Sequence, residues 1–380
     1  MEPVPSSLPA AATRLRQVRQ ELFKLIGLVV LASAAFAGTR AFAAHSRATR
    51  AADGEAWFRL GQDELARDRV PGAIDAFRRA LAKVKDSREY SLALARALEQ
   101  SGDADAAERA LLALRESAPE DGDINLELAR IAARRGDMTT ALRYYRNALY
   151  APSAAADENL RRGLRLELID FLLARGERGR ALSELLAAAN DSPNDVPSAV
   201  RLGRLFAQAG DYRRARDQYR RALQIDARQP DALVGAGTAA FQLGDYAEAR
   251  RDLAAAPSDD PAVAVMRDVA THVLSDDPLG VRLGSSERYR RLVADVMTVS
   301  NRLHTCLIQA APSDAVMAAV SAVDAFAATL RRRRVDPDLV DDGLSVVFKG
   351  EQAVPASCGD PSPADRALVL IARLHGADGT

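Results

Sequence analysis

One repeat governs what this chain can fold into. Ala73, Ala107 and Ala141 are spaced by 34 residues, and after a six-residue insertion Ala181, Ala215 and Ala249 are spaced by 34 again. Other columns keep the register. Leu60, Leu94, Leu128, Leu168, Leu202 and Ala236 form one, followed by the small column Gly61, Ala95, Ala129, Ile169, Gly203 and Gly237. A turn column reads Asp68, Gly102, Gly136, Gly176, Gly210 and Gly244, with an acidic residue after each Gly. A large residue recurs at Phe77, Leu111, Tyr145, Leu185, Tyr219 and Leu253, and a second, mostly small column at Ala80, Leu114, Ala148, Ala188, Ala222 and Ala256. Each unit is thus an apolar helical period, a turn, and a second helical period. One such unit cannot bury its apolar face alone, so units must stack. The small columns let helices cross closely, and the large residue fills the gap.

These columns resemble the tetratricopeptide repeat (TPR) family. The first unit carries Trp57, Leu60, Gly61, Ala73, Phe77 and Ala80, departing at Glu64 where the family has an aromatic. The resemblance spans residues 54–263, with units from 54, 88, 122, 162, 196 and 230 and a looser loop near Pro152–Glu158. It implies an all-α, right-handed α-solenoid of about six helix-turn-helix repeats. In the family the first helix of each unit lines a concave groove for partner peptides or helices. Carried over column by column, the groove is Phe58, Gln62, Leu92, Arg96, Leu126, Arg130, Arg134, Leu166, Val200, Arg204, Gln208, Thr238 and Gln242. Its arginines suit an acidic peptide or a C-terminal carboxylate. The competing expectation is that they pair with Glu89, Glu99, Asp123 and Glu127 on neighbouring turns. The Lys and Asn clamp of chaperone-binding members is not recognisable, which disfavours a cytosolic co-chaperone.

Ahead of the repeats, residues 1–24 form a tail with Arg14, Arg16, Arg19 and Lys24, and residues 25–44 an apolar segment broken only by Arg40. Its 20 residues match a bilayer span, which makes the membrane a partner through this helix. Ala35-Phe36-Ala37 and Ala41-Phe42-Ala43 also offer signal-peptidase sites. The long basic flank favours a retained transmembrane helix over a cleaved signal or a buried soluble helix. Residues 45–53 read as a linker. The expected topology is N-terminus inside and body outside the cytoplasmic membrane.

Residues 264–380 lose the repeat register and read as a helical cap, with helices over 262–274, 286–309, 313–333, 337–350 and 362–375. Cys306 and Cys358 lie here, 52 apart. A disulfide suits an oxidising compartment; free thiols, or a metal set with His304 and His375, are the alternatives.

With 52 basic and 52 acidic residues the chain lacks the excess of a nucleic-acid binder. No phosphate loop, HExxH or GxSxG is present, and Gly235-Ala236-Gly237 falls inside the sixth repeat. Asp259-Asp260 and Asp341-Asp342 read as helix-end charges, as does the run 331–334. The expectation is a non-enzymatic, cofactor-free scaffold in a bacterial cell-envelope assembly. Its rivals are an enzyme or metal-dependent factor seated in 264–380, and a self-associating solenoid.

Overall fold

The computed structural model describes residues 9–309, 313–331 and 337–376. The first eight residues of the tail, and Arg332 to Arg334 of the arginine run, lie outside them. Among the described residues the chain is all-α, without a strand. It divides into two compact units, Met1–Leu164 and Arg165–Thr380. The division falls beside the six-residue insertion, not at residue 263 where the repeat register fades.

In the first unit α1 (Pro9–Ala66), α2 (Val70–Lys83), α3 (Arg88–Gln100), α4 (Ala104–Ser117), α5 (Gly122–Arg135) and α6 (Met138–Leu149) pack as successive neighbours. The insertion forms the five-residue α7 (Pro152–Ala156), a helical turn in place of the expected loose loop. Pro152 starts it, and Ala154 is buried. Helix α8 (Glu158–Ala174) crosses the division. In α1 the apolar segment and the first repeat share one unbroken helix, so residues 45–53 are helical and make no break. No Pro lies between 25 and 66, and the only glycines there are Gly27, Gly38, Gly54 and Gly61. Its apolar part is exposed throughout and is long and apolar enough to cross a membrane.

The second unit continues with α9 (Arg178–Asn190), α10 (Val196–Gln208), α11 (Tyr212–Ile225), α12 (Pro230–Gln242) and α13 (Tyr246–Ala255). Then follow α14 (Pro261–Asp276), α15 (Ser285–Gln309), α16 (Asp314–Leu330), α17 (Pro337–Ala353) and α18 (Pro363–Leu374). Tyr246 and Ala249 of the sixth pair share one core with Val269 of α14, Leu292 and Val299 of α15, Leu344 of α17 and Ile371 of α18. The cap is therefore continuous with the last repeat. Ser313 and Ser362 are caps rather than helical residues, the latter in a capping box with Asp365.

The repeat columns have direct physical roles. All six turn-column residues have positive φ, from 58° at Asp68 to 89° at Gly102. That conformation is open to Gly and, next best, to Asp or Asn. A Cβ on Gly61 would sit 2.4 Å from the Phe77 ring, on Gly203 2.8 Å from the Tyr219 ring, and on Gly237 2.7 Å from Leu253. The small column is thus the seat of the large one.

Candidate functional site

Each unit carries a trough lined by the first helices of its repeats. In the first unit, α1, α3 and α5 place Phe58, Gln62, Leu92, Arg96 and Asp123 around about 310 Å³. Phe58 and Leu92 are buried, and the Phe58 ring stacks on Tyr90 with centroids 4.7 Å apart. They make the apolar floor, Phe58 of the first repeat packing on Tyr90 of the second.

Above that floor the arginines are matched by carboxylates. Arg96 Nε donates to Glu127 Oε1 at 2.6 Å, and Arg130 Nη1 lies 3.4 Å from the same oxygen. The Glu127 side chain is only 3% exposed, whereas that of Arg96 is 52% exposed. A buried carboxylate left unpaired is costly, so Glu127 holds both guanidinium groups, and that of Arg96 stays half-exposed. Arg134 pairs with Glu99. Arg88 binds Asp121 and Asp123, with Nη2 at 2.7 and 2.6 Å. That hydrogen bonding holds the Asp121 carboxyl below its usual range. Of the two expectations, pairing is what this unit shows for the row: Arg96 and Arg130 with Glu127 and Arg134 with Glu99, while Asp123 pairs with Arg88, which lies outside the row. Leu126 is buried, and Leu126, Arg130 and Arg134 lie on α5 outside the trough lining.

The second unit's trough holds about 370 Å³ between α10, α12 and the start of α14, with Val200, Arg204, Asp231, Val234 and Thr238 on its walls. Tyr219 of α11 reaches into it through the gap left by two glycines. A Cβ on Gly235 would meet its ring at 2.3 Å. Burial pushes the Tyr219 phenol up from its ordinary value. Arg204 stands 3.9 Å from Asp231, both well exposed. Leu166, Gln208 and Gln242 are on the first helices but do not line this trough. Sequence reasoning missed Arg88, Leu65, Tyr212, Ser258 and Asp260 as lining residues. Tyr219 was legible as a large-column residue, but not as a wall, because that follows from two glycines on different helices.

In the C-terminal helices Cys306 and Cys358 are joined in a disulfide, Cα atoms 5.1 Å apart. This removes the Cys₂His₂ alternative. His304 bonds its own helix at the Ser300 carbonyl, 2.8 Å away. His375 Nε2 lies 3.0 Å from Asp277. No group of three or more potential metal ligands occurs among the described residues.

Family models of the tetratricopeptide repeat match residues 92–159 and 206–269. The chain is a tetratricopeptide repeat protein, a class of protein–protein interaction scaffolds. A search of the curated proteins finds no match. Among solved structures it is similar to pilF of Pseudomonas aeruginosa at 16% identity and TM-score 0.41, covering 54% of this chain and 91% of that one. It is similar to PilW, described as a type IV pilus biogenesis factor, at 18% identity and TM-score 0.40, covering 53% and 90%. It is also similar to YrrB, described as a TPR protein with an unusual peptide-binding site, at 20% identity and TM-score 0.41, covering 51% and 97%. None of these likenesses carries a function over to this chain.

Proposed function

We propose that the chain is a membrane-tethered docking scaffold, with α1 as the tether and the two troughs as surfaces for a partner's extended segment or helix. Its place is an envelope or secretion assembly outside the cytoplasmic membrane. The observation that carries the reading is the construction of the troughs. Each has apolar residues at its base and an exposed guanidinium beside them, Arg96 in the first and Arg204 in the second. The exposed apolar run of α1 supports the tether, since such a surface is otherwise left in water. A disulfide in the second unit fits an oxidising compartment.

The ligand chemistry that fits is a carboxylate-bearing segment. Arg96 spends its Nε on Glu127, and a partner's carboxylate reaches the outer edge of the same guanidinium. Replacing Arg96 by Glu would set a second acid against buried Glu127 and damage the fold, so substitution there is a poor test. A photoreactive residue at Gln62 or at Thr238 in the living cell is a better one, with the convex residue Arg109 as reference. One partner crosslinked from both trough positions, and weakened by Arg204→Glu in a folded protein, is the expected result. Adducts from Arg109 alone would place the working surface on the other face.

A further inference from the structure

The second unit holds a further cavity, outside both troughs. It holds about 820 Å³ between α12, α14, α15, α17, α18 and the turn at Ala356–Cys358. That size lies within the ~300–1,000 Å³ of small-molecule sites. Phe241, Val265, Met266, Val354 and Leu370 make apolar walls, and Arg302 and Glu351 are the polar groups at the bottom. The Glu351 side chain is 1% exposed. Its Oε2 takes Arg302, and its Oε1 is buried with no hydrogen-bond partner. That oxygen is closed to solvent as well, so the acid acts on the cavity through its charge and not as an open acceptor.

The local charge says which ligand. Arg302 serves Glu351 and, at 3.8 Å, Asp365 as well, so one guanidinium faces two carboxylates. Asp365 is held by its own helix start, where it accepts from the Ser362 amide. Asp360 and Arg366, at the rim, are both exposed and opposite in sign. With both inner acids ionised, the site is one positive charge short.

We propose that this cavity is a ligand site for a small apolar amine, its hydrocarbon body between Phe241, Val265, Met266 and Leu370 and its ammonium on the side of Glu351 and Asp365, whose two charges Arg302 alone does not balance. Burial raises the Glu351 carboxyl to about 7, against the pull of Arg302. An amine therefore binds the ionised form, and its affinity falls as pH drops through about 7. A neutral alcohol of the same shape lacks that dependence.

The test uses the full chain in lipid nanodiscs with labelled methyl groups, titrated with phenethylamine or 2-phenylethanol. The amine saturably shifts the Val265 and Met266 signals at about pH 8, roughly tenfold tighter than the alcohol. Near pH 6 the two converge. Glu351→Gln makes them equal at both pH values. Ala262→Trp, an exposed residue at the mouth, blocks both without touching the core. If Glu351→Gln fails to fold, the wild-type pH series and Ala262→Trp still decide. Equal binding of amine and alcohol in the wild type overturns the proposal. So does an amine preference that survives Glu351→Gln, or no saturable shift at these methyls by roughly 10 mM ligand.

Discussion

Asp103, Asp137, Asp211 and Asp245 each follow a turn glycine, and each accepts from the backbone N–H three residues on, at 3.0–3.1 Å. Glu177 occupies the same column and makes no such bond. Its extra methylene carries the carboxylate past the amide that the shorter acid reaches. Glu177→Asp should therefore raise stability by about 0.5–1 kcal/mol, read as a higher urea midpoint at unchanged slope. A second residue-scale effect belongs to Asp295. It is 2% exposed, its Oδ2 has no partner, and burial beside Asp276 and Asp277 pushes its carboxyl up to about 8. The native state thus holds this proton far more tightly than the unfolded chain does. Stability conferred by that proton is complete below about pH 4 and is lost as pH rises through about 8. Chemical denaturation should show Asp295→Asn flattening this slope and gaining at least about 1 kcal/mol over the wild type at high pH. A wild type equally stable at both ends would remove the argument. Asp295 was invisible in the sequence because nothing repeats around it. The turn acids were visible because each was written several times.

Close helix crossings outside the repeats rest on a seven-residue beat. Leu292 and Val299 of α15 face Gly343 and Gly350 of α17, where a Cβ would meet them at 2.6 and 2.7 Å. Both glycines lie inside a helix, where alanine is intrinsically better by about 1 kcal/mol. Overpacking costs about 1–3 kcal/mol and opposes that gain. At Gly350, hemmed in by buried Val299 and Val323, the steric term should win and Gly350→Ala should destabilise by about 1–2 kcal/mol. At Gly163 in α8 nothing lies within 4 Å, and Gly163→Ala should stabilise by about 0.5–1 kcal/mol. Thermal unfolding of the pair tests whether space, rather than propensity, decides the sign. Helix positions were readable from apolar period and caps. The pairing of α15 with α17 was not, because two glycines seven apart carry no signal until the facing helix is known. The groove column shows the same limit. Of its four arginines Arg96 and Arg204 line a trough and Arg130 and Arg134 do not, and the pairing of Arg96 with Glu127 depends on a buried acid one repeat further on.

Two compact units joined within one helix make a chain whose unfolding need not be a single step. The Cys306–Cys358 bridge lies wholly in the second unit. It closes a loop worth about 4 kcal/mol on the chain-entropy model. Reduction, or Cys306→Ala with Cys358→Ala, should lower the melting of Arg165–Thr380 by several degrees. The melting of the first unit should stay unchanged. A uniform shift of the whole transition would show the two units to be one cooperative body. At this scale the family's architecture was plain from the period, whereas the division beside the insertion depended on contacts that no column records. The unbroken α1 adds a mechanical consequence. From Ala44 to Gly54 the helix rises about 15 Å, at ~1.5 Å per residue, with no joint between the apolar segment and the first repeat. With that segment embedded as proposed, the first repeat has a fixed stand-off and a fixed azimuth. A partner that pulls on the trough then exerts torque on the lipid-embedded rod, so load on the docking face becomes tilt in the bilayer instead of slack in a leash.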